Sequence, residues 1–400
     1  MSTHEKKPGN AVNEKHAGKL PRNVWITGWV SFCMDVSSEM VYPLVPLFLS
    51  SVLGVNKSVI GLIEGVAEAT ASILKLFSGA LADRFGKNKL LMGLGYGVST
   101  ASRTILATAG GWGAVFGSRL VDRVGKGIRT APRDAIVAAS TPPEIMGKAF
   151  GLHRTLDTLG AVLGPALAML VLYFYAGDYR LVFWLSIIPG VLAVLLIILF
   201  ITADGPVPSG RRSFIWSAKE FDGRFWSFIL VVGLFSLGNS SDAFLILRAE
   251  NAGVSPVWVP GVYMGFHVVY ALVAVPGGML ADRFGKRRFV LLGFALFSVV
   301  YAGFALVSSP WQAAGLFALY GVYMGLTDGV QRAYLATIIP PDRRATGYGI
   351  YHMVVGLAIL PASLVAGLLW DHVGPAAPFW YGAAFSAAAG LLFLVLILRK

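Results

Sequence analysis

Twelve apolar stretches of membrane-spanning length run along this 400-residue chain and leave little room for any other kind of fold. A helix needs about 20 mostly apolar residues to cross a bilayer. Only 14% of the residues are charged, against about a quarter in ordinary soluble domains. We therefore predict an all-α membrane protein with transmembrane helices at 24–53, 58–80, 89–109, 112–136, 147–175, 179–202, 225–249, 257–280, 288–308, 311–337, 346–370 and 376–398.

The net charge of +12 is distributed asymmetrically between the two sets of connecting loops. Loops on the side of the amino terminus hold most of the cations, and the opposite loops hold little more than Lys57 and Arg180. This is the positive-inside pattern, and it explains the net positive charge of the chain without a nucleic-acid partner. It predicts a multi-pass protein of the bacterial inner membrane with both termini in the cytoplasm. Residues 1–22 are polar and are predicted to be a cytoplasmic tail without a signal peptide.

A nine-residue segment is repeated about 200 positions apart, at 79–87 (GALADRFGK) and 278–286 (GMLADRFGK). Each copy lies at the inner end of the second helix of its half. The repeat predicts two pseudo-symmetric six-helix bundles, at 23–202 and 224–400. The segment 203–223 is rich in proline, glycine and polar residues, and it is predicted to be a cytoplasmic linker between the two bundles.

Both copies of this segment resemble the signature loop of the major facilitator superfamily, G-x-L-A-D-R-x-G-K/R, and the resemblance covers nearly the whole chain. It implies a secondary transporter that moves a small solute by alternating access, with no cofactor, and that works as a monomer. In helix five, Gly160, Gly164 and Pro165 resemble a Gly-rich motif that is frequent in exporters of this superfamily.

The repeated loop also has a physical interpretation as a conformational latch. Its aspartate can accept hydrogen bonds from the free N–H groups at the start of a neighbouring helix, and its glycines permit a tight turn. Such a contact can hold one conformation and break in the other. The candidate latch residues are Gly79, Asp83, Arg84, Gly86 and Lys87 in the first copy and Gly278, Asp282, Arg283, Gly285 and Lys286 in the second.

The first half carries many ionisable residues inside its predicted helices. Such residues are costly in a bilayer, so they are expected to face the interior of the bundle and to have partners. Helical spacing places them on shared faces. The candidates are Asp35, Glu39 and Tyr42 in helix one, Glu64 and Glu68 in helix two, Arg119, Asp122, Arg123, Lys126 and Arg129 in helix four, and His153, Arg154 and Asp157 in helix five.

Within these spans eight cations, including Lys75, Arg103 and Arg133, face seven anions, including Asp134. This near balance predicts that acids on helices one, two and five pair with much of the helix-four stripe. The network is then either purely structural or also a site for substrate or protons. Asp35 and Glu39 have no basic residue within two turns. They are the first choice for proton coupling, since burial favours the neutral form of a carboxyl group, and Glu64 and Glu68 are the second.

The second half is less charged. Its candidate cavity residues are Asn239 and Asp242 in helix seven, His267 in helix eight, Asp328, Gln331 and Arg332 in helix ten, and Tyr348 and His352 in helix eleven.

The sequence has no nucleotide-binding G-x-x-x-x-G-K-[ST] motif, no metal-ligand spacing and a single cysteine, Cys33, which argues against ATP-driven pumping or an enzyme. We predict a proton-coupled solute exporter that has no resident metal and whose partners are its solute, protons and the lipid bilayer. One alternative is an importer or antiporter of an anionic solute recognised by Arg119, Arg123 or Arg129. The others are a carrier of divalent metal ions and a non-transporting receptor or scaffold.

Overall fold

The structure of the protein is a computed structural model, and it describes residues 20–85, 87–175, 177–202, 221–340 and 343–398. Most of the predicted tail and linker therefore lies outside the described residues. In the described part every regular element is helical, and the helices follow one another as twelve segments. They are α1 (Arg22–Val52), α2 (Lys57–Phe85), α3 (Asn88–Ala107), α4 (Trp112–Ser140), α5 (Met146–Phe174), α6 (Tyr179–Phe200), α7 (Gly223–Asn251), α8 (Val259–Phe284), α9 (Lys286–Leu306), α10 (Pro310–Ile338), α11 (Arg344–His372) and α12 (Ala377–Phe393).

Eight of these segments are long and apolar enough to cross a membrane, namely α1, α5, α6, α7, α8, α9, α11 and α12. The other four, α2, α3, α4 and α10, all carry ionisable residues within the helix. The apolar segments do not all lie at the surface, since 67% of the apolar window of α1 and of α7 is buried inside the bundle. The charged helices are expected to be shielded inside the bundle.

Local sequence signals explain several helix ends. Asp178 and Asp222 accept hydrogen bonds from backbone N–H groups two to three residues into α6 and α7, at 3.1 and 2.9 Å, as N-capping residues do. Gly285 has φ +100° and separates α8 from α9, a conformation that glycine adopts without strain. Three of the described helices are interrupted, α1 by a turn at 42–44, α6 at Ser186 and α7 at 239–242.

The helices of each half pack mainly on one another. In the first half α1 packs on α5 and α6, and α4 packs on α2 and α3; in the second, α8 packs on α10, and α12 packs on α7 and α9. Among the described residues, the most extensive contacts between the halves are those of α2 with α11 and of α5 with α8. At Gly65 an added Cβ would lie 2.9 Å from the Cα of Leu360. The backbones of α2 and α11 are thus in direct contact.

Hydrogen bonds close one end of the interface between the halves. The Asp371 carboxylate, at the end of α11, accepts from the backbone N–H groups of Lys57 (3.0 Å) and Ser58 (2.8 Å), at the start of α2. Nearby, Ser51 donates to Glu250 across the same interface at 2.7 Å. The charge pattern of the loops predicts that this end of the bundle faces outward.

The interiors of the two halves differ in chemistry. Buried ion pairs cross the first half, for example Arg103 with Asp122 and Arg119 with Glu64. Stacked rings fill the second half, where Phe297 and Tyr301 lie with centroids 3.9 Å apart. Charge pairing therefore holds the first half together and aromatic packing the second.

Candidate substrate site

A cavity of about 210 Å³ lies where α1, α3 and α4 meet α2 and α8. None of its twelve lining residues is aliphatic: nine are charged and three carry a hydroxyl group. They are Asp35, Ser38, Glu39, Tyr42, Glu68, Arg103, Arg119, Asp122, Arg123, Lys126, Arg129 and Tyr263. We call it the first cavity. The helical faces predicted for α1 and α4 thus meet around one polar space.

The strongest ion pair beside this cavity joins α4 to α2. Arg119 donates from Nε and Nη2 to the two carboxylate oxygens of Glu64, at 2.9 and 2.5 Å. Both side chains are buried, with exposed fractions of 3% and 1%. Such a two-point contact fixes the guanidinium in one orientation. Arg119 and Glu64 therefore neutralise each other inside the bundle.

Two further cations of the first cavity are also paired. Arg123 contacts Glu68 on α2, with Nη2 and Oε1 2.6 Å apart. Arg103 on α3 donates to Asp122 at 3.1 Å and to Ser38 at 3.0 Å. Three of the five cations around the cavity are thus neutralised by α2 or by the α3–α4 contact.

The α1 acids do not pair with the α4 stripe, and this corrects the sequence interpretation. Among the described residues, no cationic side chain of Arg or Lys lies within 4 Å of the carboxylates of Asp35 and Glu39. The reason is the packing: α2 lies directly against α4, whereas α1 packs mainly on α5 and α6. Among the described residues, the acids of other helices that pair with the α4 arginines are consequently those of α2.

Glu39 faces a histidine of the other half. Its Oε2 atom lies 3.9 Å from Nε2 of His267 on α8. Both atoms are buried without a hydrogen-bond partner in the described part of the chain. The side chain of His267 otherwise contacts the rings of Tyr263 and Phe266. Two unsatisfied polar atoms therefore face each other across the interface between the halves.

Lys126 and Arg129 remain as cations without an acidic partner. Within the described ranges no carboxylate lies within 4 Å of either charged group. Arg129 lies over the ring of Tyr96, with 4.5 Å between its Cζ atom and the ring centroid. This contact supplies part of the electrostatic stabilisation that a carboxylate would provide.

A second cavity, of about 270 Å³, adjoins the first and shares Asp35 and Tyr263 with it. It lies between α5 of the first half and α8 and α10 of the second. Its lining residues are Asp35, Arg154, Asp157, Thr158, Ala161, Asp242, Tyr263, Phe266, His267, Tyr270, Met324 and Asp328. The interruption in α7 brings Asp242 to this space, where its Oδ1 accepts from Tyr320 at 2.9 Å.

A polar chain spans the halves at the second cavity. Arg154 on α5 donates to the hydroxyl of Tyr270 on α8 at 2.6 Å, and that hydroxyl donates to Asp328 on α10 at 3.2 Å. Arg332 also pairs with Asp328, one helical turn away. Breaking this chain is a requirement for separating α5 from α8.

Six of the predicted cavity residues are absent from the linings of both cavities. His153 lies buried within the first half, with Nε2 2.9 Å from the Ser31 hydroxyl and Nδ1 3.4 Å from Asp157. Tyr351 donates to Gln331, and Tyr348 donates to the backbone carbonyl of Arg332. Besides His153, the group thus includes Gln331, Arg332 and Tyr348. Its last two members are Asn239, at the interruption of α7, and the exposed His352.

The second latch segment forms a local contact. Asp282 pairs with Lys286, one turn further along the chain, at 3.0 Å, and its side chain is 69% exposed. The expected hydrogen bonds to the start of another helix are thus replaced, among the described residues, by an exposed ion pair across the Gly285 turn. Arg283 lies near the ring of Phe284. In the first copy, Gly86 and the side chains of Asp83 and Arg84 lie outside the described part of the chain.

Several site residues were not identified from the sequence, among them Arg103, Tyr263, Tyr270 and Tyr320. Tyr263 and Tyr270 share a helical face with His267, at spacing i, i+4 and i+7, and this pattern would have identified them. Arg103 entered only the charge count, because its partner Asp122 comes from a different helix. In the part of the chain that the structure describes, no group of three or more His, Cys, Asp or Glu side chains is placed to hold a metal ion.

Comparison with known proteins agrees with this architecture. A model of the Major Facilitator Superfamily matches residues 27–266 and 249–400. An uncharacterised MFS-type transporter of Methanocaldococcus jannaschii is 36% identical over 393 residues, which cover 96% of each chain. The multi-drug resistance efflux pump PmrA homolog of Lactococcus lactis is 24% identical over 383 residues, covering 90% of this chain and 91% of that protein.

A solved structure shows the same fold. It is that of a POT family transporter in complex with a thioalcohol conjugated peptide, and it superposes with a TM-score of 0.80. The sequence identity is 13%, and the superposition covers 95% of this chain and 96% of that one. Together with the family match and the 36% identical relative, it leads to one conclusion: this chain belongs to the major facilitator superfamily of transporters.

Proposed function

We propose that this protein is a secondary transporter that exports a small polar solute in exchange for protons. One observation carries the proposal: a wholly polar cavity lies beside the interface between the halves, and two acids in its wall, Asp35 and Glu39, have no Arg or Lys partner within 4 Å among the described residues. Transporters of this architecture bind their substrates near the middle of the membrane, between the repeats.

Asp35 and Glu39 are suited to proton coupling because, in the part of the chain that the structure describes, no Arg or Lys side chain forms an ion pair with either carboxylate. A buried carboxylate held by an arginine keeps its charge, as Glu64 does beside Arg119. An unpaired one can take up or release a proton when the cavity changes the side to which it opens. Glu39 also faces His267 across the interface, so its charge influences how closely the halves approach.

The direction of transport is inferred from α5. Gly160 and Gly164, which belong to the motif that resembles that of exporters, pack directly on α1 at the proposed coupling acids. A Cβ added at Gly160 would lie 2.9 Å from the Cβ of Asp35, and one added at Gly164 would lie 2.8 Å from the Cβ of Glu39. The similarity to an efflux pump homolog supports the same direction.

The topology that follows has twelve membrane crossings. The eight apolar segments cross, and α2, α3, α4 and α10 are shielded crossings whose charged faces line or border the site. Both termini and the linker at 203–223 then lie in the cytoplasm of the cell, inside the plasma membrane. The site works within a single chain, because residues of both halves line the second cavity.

The proposal is tested with purified protein in liposomes that carry a trapped pH-sensitive dye. A panel of small polar solutes is added on one side under an imposed pH gradient. We expect at least one solute to cause proton movement opposite to its own. Asp35→Asn and Glu39→Gln should both abolish this coupled movement, and Glu39→Gln should keep solute exchange, whereas Glu144→Gln, at an exposed site, should behave as wild type. Coupled movement at the wild-type rate in both α1 variants would refute the mechanism.

The rival functions receive less support from the geometry. An anion site on Arg119 and Arg123 would require new partners, since each arginine already holds a carboxylate of α2. A metal carrier would require a cluster of ligands, which the described residues do not form.

A further inference from the structure

The two adjoining cavities have opposite charge balances. Around the first, five Arg and Lys side chains face four carboxylates. Around the second, four aspartates face one arginine, Arg154. Asp35 and Tyr263 form the boundary and belong to both linings. A solute that fills both spaces therefore meets a cationic wall at one end and an anionic wall at the other.

The ion pairs within the protein leave specific charges available at the cationic end. Arg103, Arg119 and Arg123 are held by Asp122, Glu64 and Glu68. Lys126 and Arg129 have no such carboxylate among the described residues, and Nη1 of Arg129 is buried without a hydrogen-bond partner. A buried cation without a partner is unfavourable, so these two groups are the natural contacts of an anionic group on the solute.

The anionic end is likewise incompletely neutralised. Arg154 and Arg332 lie beside Asp328, whereas Asp35 has no cation within 4 Å in the described part of the chain. Asp157 contacts His153 through one oxygen, and its other oxygen, Oδ1, is buried and unpartnered. Asp35 and Asp157 are thus free to accept from a cationic group, and the ring of Tyr263 lies beside them in the same lining.

We propose that the two cavities together form one bipolar site for a small zwitterionic solute. Its anionic group binds Lys126 and Arg129, and its ammonium group binds Asp35 and Asp157. A solute with both charges satisfies both walls, whereas an analogue with one charge leaves the opposite wall unpaired. This inference rests on the proposed function, because it names the class of solute that the transporter would carry.

Binding of matched solutes tests the inference without any gradient. Each trio consists of three compounds with the same carbon skeleton. One carries both charged groups, one carries only the amine, and one carries only the carboxylate. Suitable trios are γ-aminobutyrate with butylamine and butyrate, and β-alanine with propylamine and propionate. Thermal stabilisation of the purified protein is followed against concentration. We expect the zwitterion of at least one trio to bind about tenfold to a hundredfold more tightly than its single-charge analogues.

Two variants locate the ends of the site. Lys126→Gln should remove most of the difference in affinity between the zwitterion and the amine. Asp35→Asn should remove most of the difference in affinity between the zwitterion and the carboxylate. Lys148→Gln and Glu144→Gln, at exposed positions, are the matched controls and should leave both ratios unchanged. The inference is overturned if no zwitterion of the panel binds, or if single-charge analogues bind as tightly. Failure of the proposed function is a separate result: a solute binds with the expected preference, but no proton-coupled flux accompanies it in liposomes.

Discussion

Replacing Glu64 or Glu39 by glutamine separates a structural carboxylate from a functional one, although both lie on helices around the same site. Glu64 is 1% exposed and holds Arg119 through two hydrogen bonds. Glu64→Gln keeps the side-chain volume but leaves a buried guanidinium without its counter-charge. We expect a loss of about 3–5 kcal/mol in the free energy of unfolding, as in other buried pairs with one partner removed.

Glu39→Gln removes no ion pair with an arginine or lysine, because the basic group of the described residues within 4 Å of its carboxylate is the imidazole of His267, at 3.9 Å. We expect its stability to stay within about 1 kcal/mol of wild type, while gradient-driven transport is lost. Unfolding by titration with a denaturing detergent, followed by circular dichroism, measures the first quantity, and flux in liposomes the second.

The double variant Glu64→Gln with Arg119→Gln is the matched control. It removes both charges of the pair and should recover most of the stability lost in Glu64→Gln, because no buried charge remains uncompensated. If Glu39→Gln destabilises the protein as much as Glu64→Gln does, Glu39 is a counter-ion of the network and the coupling role is wrong.

Three further predictions concern the contacts that hold the helices together. Asp371→Ala should speed amide hydrogen exchange at the start of α2 about fivefold, since helix caps contribute about 1 kcal/mol; Asp222→Ala, which removes a cap within one half, should affect only α7. Gly65→Ala should lower the melting temperature by forcing α2 away from α11, at a cost of about 1–3 kcal/mol, whereas Gly97→Ala, where an added Cβ meets no atom within 4 Å, should not. Asp282→Asn should leave the melting temperature unchanged, because exposed ion pairs contribute about 0–1 kcal/mol; a clear drop would mean that the carboxylate has another partner.

The helices could be predicted from the sequence because each one follows from local composition. The predicted span 112–136, for example, became α4 at Trp112–Ser140, with only its end displaced. Helical spacing likewise identified the α1 face with Asp35 and Glu39, since the 3.6-residue period is a property of one helix.

The pairing of charges could not be predicted in the same way. Which acid reaches Arg119 depends on which helix lies beside α4, and no local pattern in the sequence contains that information. The charge count indicated near neutrality but not that Glu64 and Glu68 would supply the pairs and leave Asp35 and Glu39 without one. The same limit hid Arg103, whose role depends on a contact with Asp122 on the next helix.

The different interiors of the two halves have a consequence for how this protein tolerates mutation. An aromatic core accepts many substitutions of similar volume, because the attraction between rings has no strict partner. A buried ion pair accepts almost none, because each member is needed by one specific neighbour. Variation should therefore accumulate around residues such as Phe297 and Tyr301 and be rare around Arg103 and Asp122. In a library of random variants, the second half would be the permissive one, and the first half would set the limit on how far the sequence can change.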